Sequence, residues 1–129
     1  MDLIYDYQMT AYPETATWLD YLGQNNRWTD HSLAAINQRK RDSRTLFKAI
    51  RAIASKNPSD ASALDYKILY KDLSYDAAAQ AFPDELMPVN PMSSVQEDSA
   101  QIIALMPNRQ LADYQDILAR LESAEVLIE

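Results

Sequence analysis

The sequence predicts an all-α fold, about five helices in an irregular bundle, and three observations predict it. Glycine occurs once, at Gly23, and six prolines punctuate the 129 residues, so hairpin turns that need glycine are nearly unavailable. The 47% hydrophobic content is rich in Ala and Leu, which lose little rotamer freedom in a helix, and poor in Val, which favours strands. Between proline stops, apolar residues recur at helical spacing. The length suits a single helical domain over residues 1–129, built around one core.

The elements follow in order. After an aromatic, polar lead-in carrying Tyr5, Tyr7 and Tyr12, Pro13 can open a short helix through Leu22, because its fixed φ suits a first helical turn; Gly23 is the natural stop. Gln24 to Trp28 form a turn, and Thr29 or Asp30 can cap a long helix from about His31 to about Ala54. Leu33, Ile36, Phe47, Ile50 and Ala54 sit at helical spacing along it. Its middle, from Asn37 to Arg44, is polar all round, so the helix projects into water there or another part covers it.

Asn57-Pro58 is a cap followed by a first-turn proline, and it launches a third helix with Ala61, Leu64, Ile68 and Tyr75 on one stripe. Pro83, Pro88 and Pro91 then impose a loop. Ser94 and Glu97 make a capping box for a short helix ending near Met106, and Pro107-Asn108 separates it from the last. That helix starts near Arg109, with Leu111, Tyr114, Leu118, Leu121 and Ile128 on one face and Ile117 and Ala124 beside them. It lacks a stop signal, so the chain is expected to be a fragment of a longer protein that continues past Glu129. Phe47, Ile50, Leu64, Ile68, Leu118 and Leu121 are expected to share the core.

Charge and side-chain inventory exclude several functions. A formal net charge of −7 repels a phosphate backbone, so no nucleic-acid partner is expected. No cysteine is present, which removes disulfides, thiol nucleophiles and Cys-ligated zinc. The longest apolar runs are a few residues, far short of the roughly 20 that span a bilayer, and the acidic start does not resemble a signal peptide. His31 is the single histidine, so no His/His zinc pair can be built. It reads as a solvated residue in a first helical turn rather than a proton shuttle. Asp84-Glu85 and Glu97-Asp98 lack the spacing of a calcium loop and read as loop solvation and helix-dipole matching. Arg39, Lys40, Arg41 and Arg44 read as a solvated helix face, and Tyr66 and Tyr70 as packing rather than a stacking platform. No catalytic residue, metal ligand or cofactor is expected.

Several stretches together resemble the N-terminal part of a known family. They are Pro13-Glu14-Thr15-Ala16-Thr17, Trp28-Thr29-Asp30-His31-Ser32 and Leu64-Asp65-Tyr66-Lys67-Ile68-Leu69. The most specific is Phe82-Pro83-Asp84-Glu85-Leu86-Met87-Pro88-Val89-Asn90-Pro91-Met92, followed by Val95-Gln96, Leu105-Met106-Pro107, Asp113-Tyr114 and Leu118-Ala119-Arg120-Leu121. The family resembled is the bacterial domain-of-unknown-function 885 family, whose full-length members look like gluzincin-type zinc metallopeptidases. Pro91 and Ser93-Ser94 depart from the glutamine and glycines that the family usually carries in that loop.

The resemblance implies a non-catalytic N-terminal helical domain of a zinc-dependent peptidase-like protein, lining or covering the substrate channel of a catalytic domain elsewhere in the parent. Zinc would belong to that parent, held by a downstream H-E-x-x-H segment. The implied partner is the remainder of the chain itself, with self-association of the isolated piece. The implied interdomain surface is the loop over residues 82–96, with Phe82, Met87, Asn90, Met92 and Gln96. The compartment stays open, although the resemblance favours an extracytoplasmic or periplasmic one. The competing reading is a free-standing helical interaction module.

Overall fold

The computed structural model describes residues 2–54, 63–86 and 95–127, and among these every regular element is helical. Six α-helices follow one another: α1 (Asp2–Ala11), α2 (Pro13–Trp18), α3 (Leu33–Ala54), α4 (Ala63–Ala79), α5 (Val95–Leu105) and α6 (Leu111–Glu122). Two 3-10 turns, Asp84–Leu86 and Ala124–Leu127, complete them. The all-α expectation holds, with one helix more than the sequence suggested. The contacts cluster into two compact units. One comprises Met1–His31 with Met87–Glu129, and the other Ser32–Leu86.

In the first unit the lead-in is not irregular but forms α1. Tyrosine, isoleucine and threonine lower its intrinsic helix propensity, and packing against α2 overrides this. Met9 is the anchor, almost fully buried, and Tyr5 meets Tyr21 edge to face at 5.8 Å. Helix α2 ends at Trp18 rather than running to Leu22. Tyr21 N–H donates to the Ala16 carbonyl at 2.8 Å and Asp20 N–H to the Thr17 carbonyl at 3.2 Å, the two bonds of a Schellman stop. Asp20 takes the left-handed position with φ 54°, a role its short polar side chain tolerates. The expected stop, Gly23, also has positive φ, at 85°, but serves the following turn.

Helix α2 packs on α5, with Ala16 and Ile102 buried. Helix α6 begins at Leu111 because Asp113 Oδ2 accepts the backbone N–H groups of Arg109 and Gln110 at 2.8 and 3.1 Å. This satisfies donors that a helix start leaves open.

The second unit is an α3–α4 hairpin. Ser32, not Thr29 or Asp30, supplies the cap of α3, accepting the Ala35 N–H at 3.2 Å. Ile50 and Leu73 are buried. Phe47 meets Tyr70 at 5.5 Å between ring centroids, Tyr70 stacks on Tyr66 at 6.1 Å, and the Tyr66 hydroxyl donates to the Ile50 carbonyl at 3.2 Å. The tyrosines are thus packing residues. The polar middle of α3 is partly covered: Lys40 Nζ lies 2.8 Å from Glu85 Oε1, and Arg44 Nε donates to Gln80 Oε1 at 2.6 Å.

The expected core needs correction at four of its six residues. Ile50 is buried and Phe47 half-buried, but Leu64, Ile68, Leu118 and Leu121 are exposed. Helix α4 carries apolar residues all round, and the stripe that faces α3 is Tyr66, Tyr70, Leu73 and Ala77 instead of Leu64, Ile68 and Tyr75. Periodicity cannot choose between two apolar stripes on one helix. Helix α6 is the sharper case. Its apolar stripe of Leu111, Tyr114, Leu118 and Leu121 faces outward, and its most buried residue is Arg120. Asn57, Pro58, Ala61, Ser94 and Ile128 lie outside the described residues.

Candidate functional site

The chemistry of the first unit is organised around Arg120, whose side chain is 0% exposed. Charged side chains are rarely buried so fully without a partner, and here the partners are polar rather than ionic. Nε and Nη2 donate to the Arg27 carbonyl at 3.0 and 2.8 Å, Nη2 also reaches the Gln24 carbonyl at 3.2 Å, and Nη1 donates to Thr17 Oγ1 at 2.8 Å. The Thr17 hydroxyl has acceptors for its own proton in the Pro13 carbonyl at 3.1 Å and Asn25 Oδ1 at 2.9 Å.

The Arg120 guanidinium carbon sits 4.9 Å from the centre of the Trp28 ring, within cation–π range. Trp28 Nε1 returns a bond to the Arg120 carbonyl at 2.7 Å. Burial lowers the pKa of Arg120, with Glu14 and Asp116 pulling it back up and Arg27 acting in the same sense as burial. The planar fork of donors explains why arginine and not lysine occupies this position: one side chain closes two loop carbonyls and a hydroxyl at once.

Beside this anchor, and within the same unit, lies a hollow of about 450 Å³ whose wall includes Tyr12, Trp18, Trp28, Glu14, His31 and Asp98. The elements that place them are α2 with the residue before it, the irregular stretch after Arg27 and the first half of α5. Glu14 is fixed by Thr29, whose N–H donates to Oε1 at 2.9 Å and whose hydroxyl donates to Oε2. Trp18 is 59% exposed, a large apolar surface left facing solvent. Asp98 and His31 are exposed as well. Among the described residues no three histidine, aspartate or glutamate side chains converge to hold a metal ion.

Of the surface expected over residues 82–96, Phe82 follows α4 and is 69% exposed. Met87, Asn90 and Met92 and the side chain of Gln96 lie outside the described residues. His31 stands exposed ahead of α3, as expected of a solvated residue. Glu85 pairs with Lys40, and the hydrogen bond from Lys40 holds its carboxyl below the usual glutamate range. Sequence reasoning missed Arg120 and the hollow. Arg120 is the one basic residue of α6, beside its apolar stripe, and its partners lie 93 to 103 positions away.

Comparison with known protein families gives a match over most of the chain. The family described as Bacterial protein of unknown function (DUF885) matches residues 13–129. No curated protein and no solved structure matches. No helix among the described residues is long and apolar enough to cross a membrane.

Proposed function

Because the chain belongs to the DUF885 family of bacterial proteins of unknown function, we propose that it is the non-catalytic N-terminal helical part of a larger zinc-dependent peptidase-like protein. In that protein it lines or covers the substrate channel, and the remainder of its own chain is its partner. The observation that carries this reading is the orientation of α6. An amphipathic helix normally turns its apolar stripe to a core, whereas α6 turns Leu111, Tyr114, Leu118 and Leu121 outward and buries Arg120. An apolar stripe facing water is what a docking surface for another part of a protein looks like, which supports the reading. The zinc of such a parent needs ligands that one histidine and no cysteine cannot supply here, so this chain would shape access rather than react.

The test has two steps. The reading frame should continue into an H-E-x-x-H segment, and the downstream part, produced separately, should bind this chain. Leu118→Glu with Leu121→Glu should abolish that binding and leave helicity unchanged, because both side chains already face water. A stop codon after Glu129 would sink the proposal, as would unaltered binding by the double variant. The second reading, a free-standing interaction module, draws on α4, where Leu64, Ile68 and Tyr75 form an exposed stripe that continues toward Phe82. A frame that ends without any catalytic segment would favour it.

A further inference from the structure

We propose that the hollow beside Trp28 binds an organic cation, a guanidinium or alkylammonium group, between aromatic faces and two carboxylates. Its wall combines three ring systems, Tyr12, Trp18 and Trp28, with Glu14 and Asp98. Among the described residues that wall carries no lysine or arginine. Aromatic faces attract cations through their negative quadrupole, and carboxylates accept the N–H groups at the cation's edge. The volume of about 450 Å³ falls within the roughly 300 to 1,000 Å³ of small-ligand sites.

Other occupants fit worse. An anion meets two negative charges in a protein already at −7. A neutral apolar group covers the rings but strips water from Glu14 and Asp98 without replacing its hydrogen bonds. Glu14 is positioned rather than consumed by Thr29: two donors occupy two of the about four lone-pair sites of a carboxylate. Trp28 already receives a guanidinium from within the protein, that of Arg120. The positive charge of Arg120 opposes a second cation, which is why the affinity should depend on Asp98.

The cation could arrive as a basic side chain of a peptide or as a free amine. Isothermal titration calorimetry of the purified protein with Nα-acetyl-arginine amide, its citrulline counterpart and putrescine separates these. Citrulline keeps the shape and replaces the charged guanidinium by a neutral urea. The arginine derivative should bind saturably, the citrulline derivative at least about tenfold more weakly, and added salt should weaken the former alone. Asp98→Asn and Trp18→Ala should each weaken arginine binding about tenfold with an unchanged circular dichroism spectrum. Both positions are exposed, so neither variant threatens folding. Tighter putrescine than arginine binding identifies a free amine as the source, and the reverse a peptide. Equal binding of the citrulline derivative, no saturable binding of any probe, or binding untouched by both variants would overturn the proposal.

Discussion

The two units solve the same problem by opposite means. The α3–α4 hairpin is held by side chains from neighbouring helices: Ile50 and Leu73 buried, and Phe47, Tyr66 and Tyr70 in a row. The first unit also has apolar anchors, Met9, Ala16, Ile102 and Met106. A long-range link, however, is a buried cation joining α6 to a hydroxyl of α2 and to carbonyls of the loop before α3. The contrast concerns specificity. Apolar packing tolerates substitutions of similar volume, whereas a polar knot accepts one arrangement of donors and acceptors.

The largest effect should come from cutting the knot. Arg120→Met leaves the Arg27 and Gln24 carbonyls, the Thr17 hydroxyl and the Trp28 ring without their partner, and should cost about 3 to 5 kcal/mol. Chemical denaturation followed by circular dichroism measures it. Arg120→Lys should recover part of the loss, since one ammonium cannot span the fork. If methionine were tolerated at less than about 1 kcal/mol, the first unit would be an apolar core after all and the contrast would fall.

Next comes the hairpin. Leu73→Ala should cost about 2 to 4 kcal/mol through lost burial and a cavity, while Leu73→Met stays within about 1.5 kcal/mol. A large loss for methionine would give the hairpin the intolerance assigned here to the first unit. A smaller effect of opposite sign belongs to Ser43, whose Oγ is buried without a partner among the described residues. Ser43→Ala should stabilise by about 0.5 to 1 kcal/mol in a thermal melt, by removing that hydroxyl and favouring the helix.

The smallest effect is a pH dependence. Glu85 has a carboxyl lowered by its bond from Lys40. Its contribution is complete above the ordinary glutamate pKa and fades as pH falls through the lowered folded value. Glu85→Gln should lower stability slightly near neutrality, leave it unchanged at the acid end, and so flatten the profile between the lowered and the ordinary glutamate pKa, measured by melts from acid to neutral pH. The pair is only half-buried at the surface, where solvent screening keeps the effect small.

Much of this fold was legible from local rules. The start of α2 at Pro13, the long α3 and the break at Pro107 each follow from one or two residues with a stated conformational demand. What was not legible required a choice between equivalents or a distant partner. Helix α4 offers two apolar stripes, and only packing against α3 selects Tyr66, Tyr70 and Leu73. Helix α6 shows a textured apolar stripe and one basic residue, and any reading of periodicity puts the leucines inside. The structure reverses that because Thr17, Gln24 and Arg27 together offer Arg120 what water would. The hollow combines residues from positions 12 to 31 with positions 98 to 102, and no spacing rule links those.

The separation between Arg120 and its acceptors also has a consequence in time. A ribosome makes this chain from its amino end, so Trp28 emerges 92 positions ahead of Arg120. At the roughly 5 to 20 residues per second of synthesis, that interval is about 5 to 20 s. Throughout it the stretch from Gln24 to Trp28 has its carbonyls bonded to water and its indole uncovered. The hairpin of α3 and α4 is translated whole within the same interval, and its aromatic row and its Lys40–Glu85 pair lie inside that stretch. Nascent chains cut at successive lengths should therefore gain protease resistance in Ser32–Leu86 first, and around Trp28 only once Arg120 has cleared the exit tunnel.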